Sequence, residues 1–314
     1  MTATSAEALS VVAVSPAMQE LLRVATRLAA ADSSVLVQGE SGTGKDLIAH
    51  WVHYKGPRRD GPFIKVHCPS IPEDLLESEL FGHEKGAFTD ARQTKTGKIE
   101  LAAGGTLFFD QVEDLSLTLQ AKLLRVVEER RFERLGGTRT IEVDVRFVSA
   151  SGPDLAAAVA AGRFRSDLYH RLGVVPVTVP PLRDRPEEVL PLAELFLARA
   201  RERRATRAED FEREAAALLR SYSWPGNVRE LRSVVERSAL SGQGPLVAAA
   251  DLPPEVREQK EALWLERRPS LRELEKSYIQ KVLAEVDGSQ TRAAAILGIS
   301  RKALWEKRRR YGIP

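Results

Sequence analysis

Apolar positions follow one rhythm up to about residue 180 and another beyond it. Short apolar runs over 34–37, 63–67, 106–110, 143–150 and 174–179 read as buried strands. Between them, stretches over 16–30, 45–54, 119–129 and 155–161 carry apolar residues at helical spacing. Strands alternating with helices predict a mostly parallel sheet covered on both faces. After Pro180-Pro181 the strand-like runs stop, and 186–203, 208–221 and 228–240 predict a separate helical subdomain. Ser241-Gly242-Gln243-Gly244-Pro245 interrupts the pattern, and 251–268 reads as a charged linker with a Pro253-Pro254 stop. Three final helices are expected over 271–286, 291–297 and 302–311. Gly298-Ile299-Ser300 forms a tight turn between the last two, with Ser300 available as a cap. Two short helices joined in this way describe a helix-turn-helix. No internal repeat is present.

Length and charge sharpen this picture. At 314 residues the chain has room for two or three domains with a full core. Its formal net charge is only +3, but from Ser270 onward there are 10 Lys/Arg against 5 Asp/Glu, which leaves the body slightly acidic. Such a tail is suited to nucleic acid. The lone Cys68 excludes an internal disulfide, and no paired ligands suggest zinc. The first residues lack the pattern of a signal peptide, and no apolar run approaches the roughly 20 residues that cross a bilayer. The expectation is a soluble, cytoplasmic protein with no membrane partner.

Candidate chemistry begins at Gly39-Glu40-Ser41-Gly42-Thr43-Gly44-Lys45-Asp46, which lies between a strand and a helix. That order makes a P-loop: glycines let backbone N–H groups converge on phosphate oxygens, the helix N-terminus adds a favourable dipole, and Lys45 reaches the β/γ-phosphates. Asp46 stands where most P-loops carry a Ser/Thr ligand to Mg²⁺. Gly104-Gly105-Thr106-Leu107-Phe108-Phe109-Asp110 is an apolar strand ending in a carboxylate, the second half of an ATP site, where Asp110 holds Mg²⁺ or its water. A Glu in the next position would orient and deprotonate the attacking water. Gln111 can position water but cannot accept its proton, and Glu113 is the nearby carboxylate in sequence.

With these residues in view, 15–240 resembles the AAA+ domain of bacterial enhancer-binding proteins, the NtrC-like activators of sigma-54 RNA polymerase. The resemblance rests on 39–46, on Leu75-Leu76-Glu77-Ser78-Glu79-Leu80-Phe81-Gly82-His83-Glu84-Lys85-Gly86-Ala87-Phe88-Thr89, and on Trp224-Pro225-Gly226-Asn227-Val228-Arg229-Glu230-Leu231. Residues 271–313 resemble the Fis-type helix-turn-helix that ends these activators. The resemblance implies an α/β fold: an AAA+ P-loop domain with a parallel five-stranded sheet over 15–180 and a helical lid over 181–240. A tail over 1–14, a linker over 241–269 and an all-α DNA-binding domain over 270–314 complete the expected organisation. An acidic residue after the P-loop lysine is normal in such proteins. Arg165 and Arg171 match arginine fingers that complete a neighbour's ATP site, so the implied assembly is a homo-oligomer, from dimer to hexameric ring. Arg229 matches the lid arginine that senses nucleotide, while His83, Glu84 and Lys85 read as loop-fixing residues.

Three departures fall along one chain of action. The loop that grips sigma-54 reads Gly86-Ala87-Phe88-Thr89-Asp90-Ala91, with Asp90 in place of a second glycine. Gln111 replaces the catalytic Glu, and Ala150-Ser151-Gly152 lacks the asparagine that links γ-phosphate to the loop. In the last helix Arg301 and Lys302 are expected at base edges of double-stranded operator or enhancer DNA, and Lys307, Arg308 and Arg309 at phosphates. The expectation is an ATP- and Mg²⁺-binding, sequence-specific transcriptional regulator, slowed in hydrolysis and in sigma-54 engagement. No receiver or ligand-sensing domain fits within 1–14. The alternatives are a fully active ATPase that remodels sigma-54 polymerase, and a non-catalytic repressor or mixed-ring subunit.

Overall fold

Residues 11–173, 175–203, 206–242, 244–258, 270–286 and 289–313 are described by a computed structural model, and the chain divides into two compact units that part between Leu252 and Pro253. In the first unit, α1 (Pro16–Ala30) opens on Ser15, whose hydroxyl accepts from the Met18 N–H at 3.3 Å, and has Pro in its first turn. There follow β1 (Val35–Gln38), α2 (Lys45–Tyr54), β2 (Phe63–His67), α3 (Glu73–Phe81), the short hairpin β3 (Gly82–His83) and β4 (Lys95–Thr96), α4 (Lys98–Leu101) and β5 (Thr106–Asp110). Next come α5 (Leu117–Glu129), the hairpin β6 (Arg131–Glu133) and β7 (Thr140–Glu142), β8 (Arg146–Ser151), α6 (Leu155–Ala160), α7 (Ser166–Leu172) and β9 (Val175–Thr178).

β2, β5, β8, β1 and β9 form one five-stranded sheet in that spatial order, every pair parallel. The fold class is therefore the expected α/β arrangement. Alternate residues of the strands face opposite layers, and both are apolar. Leu36, Leu107, Phe109 and Phe147 pack with Leu119, Leu123, Leu168 and Leu172 on one side. Val35, Val37, Phe108 and Val148 pack with Met18, Leu21, Ile48 and Val52 on the other.

The expected strand over 143–150 begins later, at Arg146. Val143 is held by the preceding hairpin, its N–H donating to the Arg130 carbonyl at 2.8 Å. After the sheet, α8 (Val189–Glu202), α9 (Arg213–Ser221) and α10 (Asn227–Ser241) form the helical part of the same unit. The helix expected from residue 208 starts at Arg213, because β10 (Asp210–Phe211) pairs first with β11 (Leu246–Val247). Residues 1–10, 174 and 259–269, within the expected tail, last strand and linker, lie outside the described residues.

The second unit contains α11 (Leu271–Glu285), α12 (Gln290–Ile296) and α13 (Arg301–Tyr311). Ile279, Val282 and Leu283 meet Ala293, Ala294, Leu304 and Tyr311 in its small core. Ser300 caps α13 by accepting from the Ala303 N–H at 3.1 Å, and Gly312 closes the helix in the left-handed conformation at φ 61°.

Candidate nucleotide site and DNA-binding helix

The carboxyl ends of β1, β8 and β5 are adjacent in the sheet, and the candidate site is built where they emerge. Gly39 follows β1, and a side chain there would meet the Val179 carbonyl at 2.8 Å. Gly42 is left-handed at φ 79°, and a Cβ on it would sit 2.3 Å from the Gly226 carbonyl, so both space and backbone demand glycine. Lys45 opens α2 and folds back over the loop, Nζ donating to the carbonyls of Gly39 at 2.6 Å and Glu40 at 3.0 Å. Burial lowers its pKa, opposed by the carboxylates of Glu113, Asp110 and Asp46. Thr43 is buried and its hydroxyl donates to the Glu40 carbonyl at 2.8 Å. The Asp46 carboxylate is paired with Lys65, which also lies 2.9 Å from Asp110 at the end of β5. A carboxylate together with nucleotide oxygens is a donor set that Mg²⁺ uses, so Asp110 fits such an ion; here it faces Lys65 at 2.9 Å and the His67 ring at 3.1 Å. Among the described residues no group of three or more His, Cys, Asp and Glu could hold a metal by itself.

The lid motif docks directly on this loop. Trp224 is buried with its indole N–H on the Leu219 carbonyl at 2.9 Å, and the Gly226 N–H is taken by Glu230 at 2.7 Å. This fixes Asn227, left-handed at φ 55° and buried. Its amide donates to Glu40 at 3.1 Å and to the Ser41 carbonyl at 3.0 Å, while its oxygen accepts from the Leu182 N–H at 2.8 Å. Arg229 donates to the Ser41 hydroxyl at 2.8 Å.

The Glu40 side chain therefore faces the lid. Arg183 grips it at 2.7 and 2.9 Å, and with Asn227 holds its carboxyl well below the usual range, at about 2. Below the loop the buried pair Arg185–Glu188 spans 2.9 Å; Arg185 also donates to the Thr43 carbonyl at 2.8 Å, and Glu188 accepts from the Ser15 hydroxyl at 2.8 Å. Arg183, Arg185, Glu188 and a bonding role for Asn227 are absent from the sequence reading. In the run Leu182-Arg183-Asp184-Arg185-Pro186-Glu187-Glu188 the charges look like a solvated face.

Gln111 is in the left-handed region at φ 59°, immediately after β5. Two residues on, Glu113 turns back toward the neighbouring strand end: its Oε1 accepts from the Gly152 N–H at 2.6 Å, and its Oε2 is buried with no hydrogen-bond partner in the chain. Arg165 and Arg171 are not brought to this site within one chain. Arg165 pairs with Asp167 at 2.7 Å and Arg171 with Glu128 at 3.0 Å, with side chains 41% and 57% exposed. Exposed pairs of this kind hold a guanidinium only weakly.

The loop between β3 and β4 carries residues 86–91. The Gly86 N–H bonds the Ala91 carbonyl at 2.8 Å, and the Ala91 N–H bonds the Phe88 carbonyl at 3.0 Å, so the tip is a closed turn with Ala91 buried beneath it. Phe88 stands 43% exposed against the edge of the His83 ring, centroids 4.9 Å apart. Asp90 is exposed, and its φ is not positive. The expected backbone restriction from replacing a glycine is therefore not felt in this conformation. Glu84 accepts from Arg134 at 2.9 Å and from Thr94 at 2.9 Å; Arg134 in turn pairs with Glu100 at 2.7 Å. Thus Glu84 fixes the loop base.

In the second unit Arg301, Lys302, Trp305, Glu306 and Arg309 line the exposed side of α13, and the Arg309 guanidinium sits 5.7 Å from the Trp305 ring centre. Lys307 turns the other way and pairs with Glu275, which also accepts from the Tyr311 hydroxyl. Arg308 is half-buried.

Comparison with known proteins adds an independent line. Residues 11–178 match the sigma-54 interaction domain, 183–267 the AAA+ ATPase lid domain, and 270–311 the Fis family of bacterial regulatory proteins. The chain is 47% identical over 308 residues to the regulatory protein AtoC of Escherichia coli, covering 95% of this chain and 67% of that one. It is 44% identical over 310 residues to the transcriptional regulatory protein ZraR of Klebsiella oxytoca, covering 98% and 70%. Crystal structures of NtrX from Brucella abortus in complex with ATP and with ADP are 37% identical, superpose with a TM-score of 0.73, and are matched over 97% of this chain and 69% of theirs. Among the described residues no helix is long and apolar enough to cross a membrane.

Proposed function

The chain belongs to the sigma-54-interacting family of AAA+ transcriptional regulators that end in a Fis-type helix-turn-helix, and we propose from that premise that it is an ATP-binding, sequence-specific DNA-binding regulator with slowed ATP hydrolysis. The observation that carries the reading is the docking of the lid on the P-loop, through Asn227 and Arg229 on Glu40 and Ser41, beside a folded-back Lys45. A loop braced from above by the lid and below by Arg185 is pre-organised to receive phosphates, and a nucleotide inserted there is felt by the lid at once. That NtrX, a relative over nearly the whole of this chain, was crystallised with ATP supports the same ligand. Mg²⁺ would be held by Asp110 and phosphate oxygens, and would neutralise charge on the transferring phosphoryl group.

Slow hydrolysis follows from Gln111, which cannot take a proton from water. Assembly into a homo-oligomer supplies what one chain lacks, since Arg165 and Arg171 are exposed and free to exchange weak local partners for a neighbour's γ-phosphate. DNA is the partner of the basic side of α13, and sigma-54 RNA polymerase the partner of the loop around Phe88.

The test is nucleotide binding by the full chain. Lys45→Ala is expected to abolish ATP binding while DNA binding by the same protein persists. An ATP affinity equal in wild type and Lys45→Ala removes the P-loop assignment.

A further inference from the structure

We propose that Glu113 is the carboxylate that activates water at the nucleotide site, in the role Gln111 cannot fill; this rests on the ATP-binding reading above. β8 lies between β5 and β1 in the sheet, so a group pinned to the end of β8 stands between Asp110 and the P-loop. Glu113 is pinned there, Oε1 accepting from the Gly152 N–H at 2.6 Å. The charge of Glu113, with those of Asp110 and Asp46, opposes the lowering of the Lys45 pKa by burial. Oε2 is buried and accepts no hydrogen bond in the chain. A carboxylate serving only to brace two strand ends gains nothing from a buried oxygen without a donor, which costs stability. Oε2 is closed to water in this structure, so on this proposal the attacking water reaches it only once the site opens to take nucleotide.

Gly152 belongs to the same device. A Cβ at that position, just past the end of β8, would come within 3.2 Å of Glu113 Oε1 and press the carboxylate aside by a few tenths of an ångström. Two departures noted separately in the sequence, the amide at 111 and the glycine at 152, thus belong to one rearranged site. In the step, Glu113 Oε2 takes one proton from water as the water oxygen bonds to the γ-phosphorus. The bond from phosphorus to the bridging oxygen breaks with its electrons remaining on ADP, and phosphate leaves. Turnover stays modest because one oxygen of Glu113 is committed to Gly152.

Glu113→Gln in the full chain should lower steady-state ATP turnover about 10²-fold or more. A non-hydrolysable ATP analogue should meanwhile bind about three- to tenfold more tightly relative to ADP, because a negative charge facing the γ-phosphate is gone. The double variant Gln111→Glu, Glu113→Gln should recover turnover, which also establishes that the substituted chain folds. Gly152→Ala, which crowds the carboxylate without removing it, should give a rate between those of the wild type and Glu113→Gln. The proposal is overturned if Glu113→Gln turns over ATP at the wild-type rate, or if the wild type binds ATP and hydrolyses none. If the wild type does not bind the analogue at all, the ATP-binding reading itself fails.

Discussion

His53 illustrates how a single side chain ties the sheet to its covering helix. It sits buried on α2, shares a hydrogen bond with the Thr106 hydroxyl at 2.9 Å, and packs against the Phe63 and Tyr54 rings. Burial first, then the nearby His50 and Arg146, push its pKa down to about 4, against a hydrogen bond to the Gly61 backbone that favours the charged form. The folded state therefore keeps this ring neutral where the unfolded chain, titrating near 6.5, binds a proton. Its contribution is complete above about pH 6.5 and is lost as pH falls toward 4, by about 2–3 kcal/mol across that window. Unfolding free energies of wild type and His53→Gln, measured between pH 7 and 4, should show the wild type falling more steeply; parallel curves would remove His53 from the account. The position was silent in the sequence, since a histidine on an apolar helix face announces nothing about its partners.

At the scale of elements, α13 turns Lys307, one of the three cations expected at phosphates, onto a partner within its own unit. Its start and end were legible, because Ser300 and Gly312 are local signals that act through their own backbone. The division of its cations was not. Lys307, expected at phosphate, is turned toward Glu275 and Tyr311 by helical phase, and Glu275 lies 32 residues upstream on another helix. Arg301 is at the exposed N-terminal end, where a recognition helix reads base edges. Arg301→Ala should cost about 1–3 kcal/mol on the operator and little on random DNA. Arg309→Ala should weaken both and reduce the salt dependence by about one unit. Lys307→Ala should leave the salt dependence unchanged and lower the melting temperature instead. Equal losses on operator and random DNA for Arg301→Ala would move it to the phosphates.

The same contrast holds elsewhere among the elements. The sheet was readable because its strands are continuous apolar runs, and the P-loop because its residues are contiguous. Two-residue strands such as β3 and β4 have no periodicity to read, and the expected strand at 143 loses three residues to a hairpin contact with Arg130. The lid–loop network joins residues 143 to 188 positions apart, through charges whose partners no local pattern names.

For the whole molecule, the question is whether nucleotide turnover reaches the polymerase. Phe88 offers an apolar surface at the loop tip, but Asp90 puts a charge two residues away that would cost a few kcal/mol if buried unpaired. The cost is one of charge alone, because the Asp90 backbone is unstrained in this conformation. Behind the loop, Arg134 bridges Glu84 and Glu100 and so ties down the loop base. Where the resemblance implies an asparagine, this chain has Gly152, its N–H bonded to Glu113. Sigma-54-dependent activation by the unmodified chain should therefore be absent or weak. Asp90→Gly alone should not restore it, since relieving the tip leaves the transmission unchanged. Adding Gln111→Glu and Gly152→Asn should, because the two changes return a carboxylate directly after Asp110 in sequence and the asparagine at 152. Transcription in vitro from a sigma-54 promoter carrying this protein's own binding site decides the matter. Robust, hydrolysis-dependent open-complex formation by the unmodified chain would mean that the Glu113–Gly152 contact itself transmits the stroke and that Asp90 is tolerated at the polymerase.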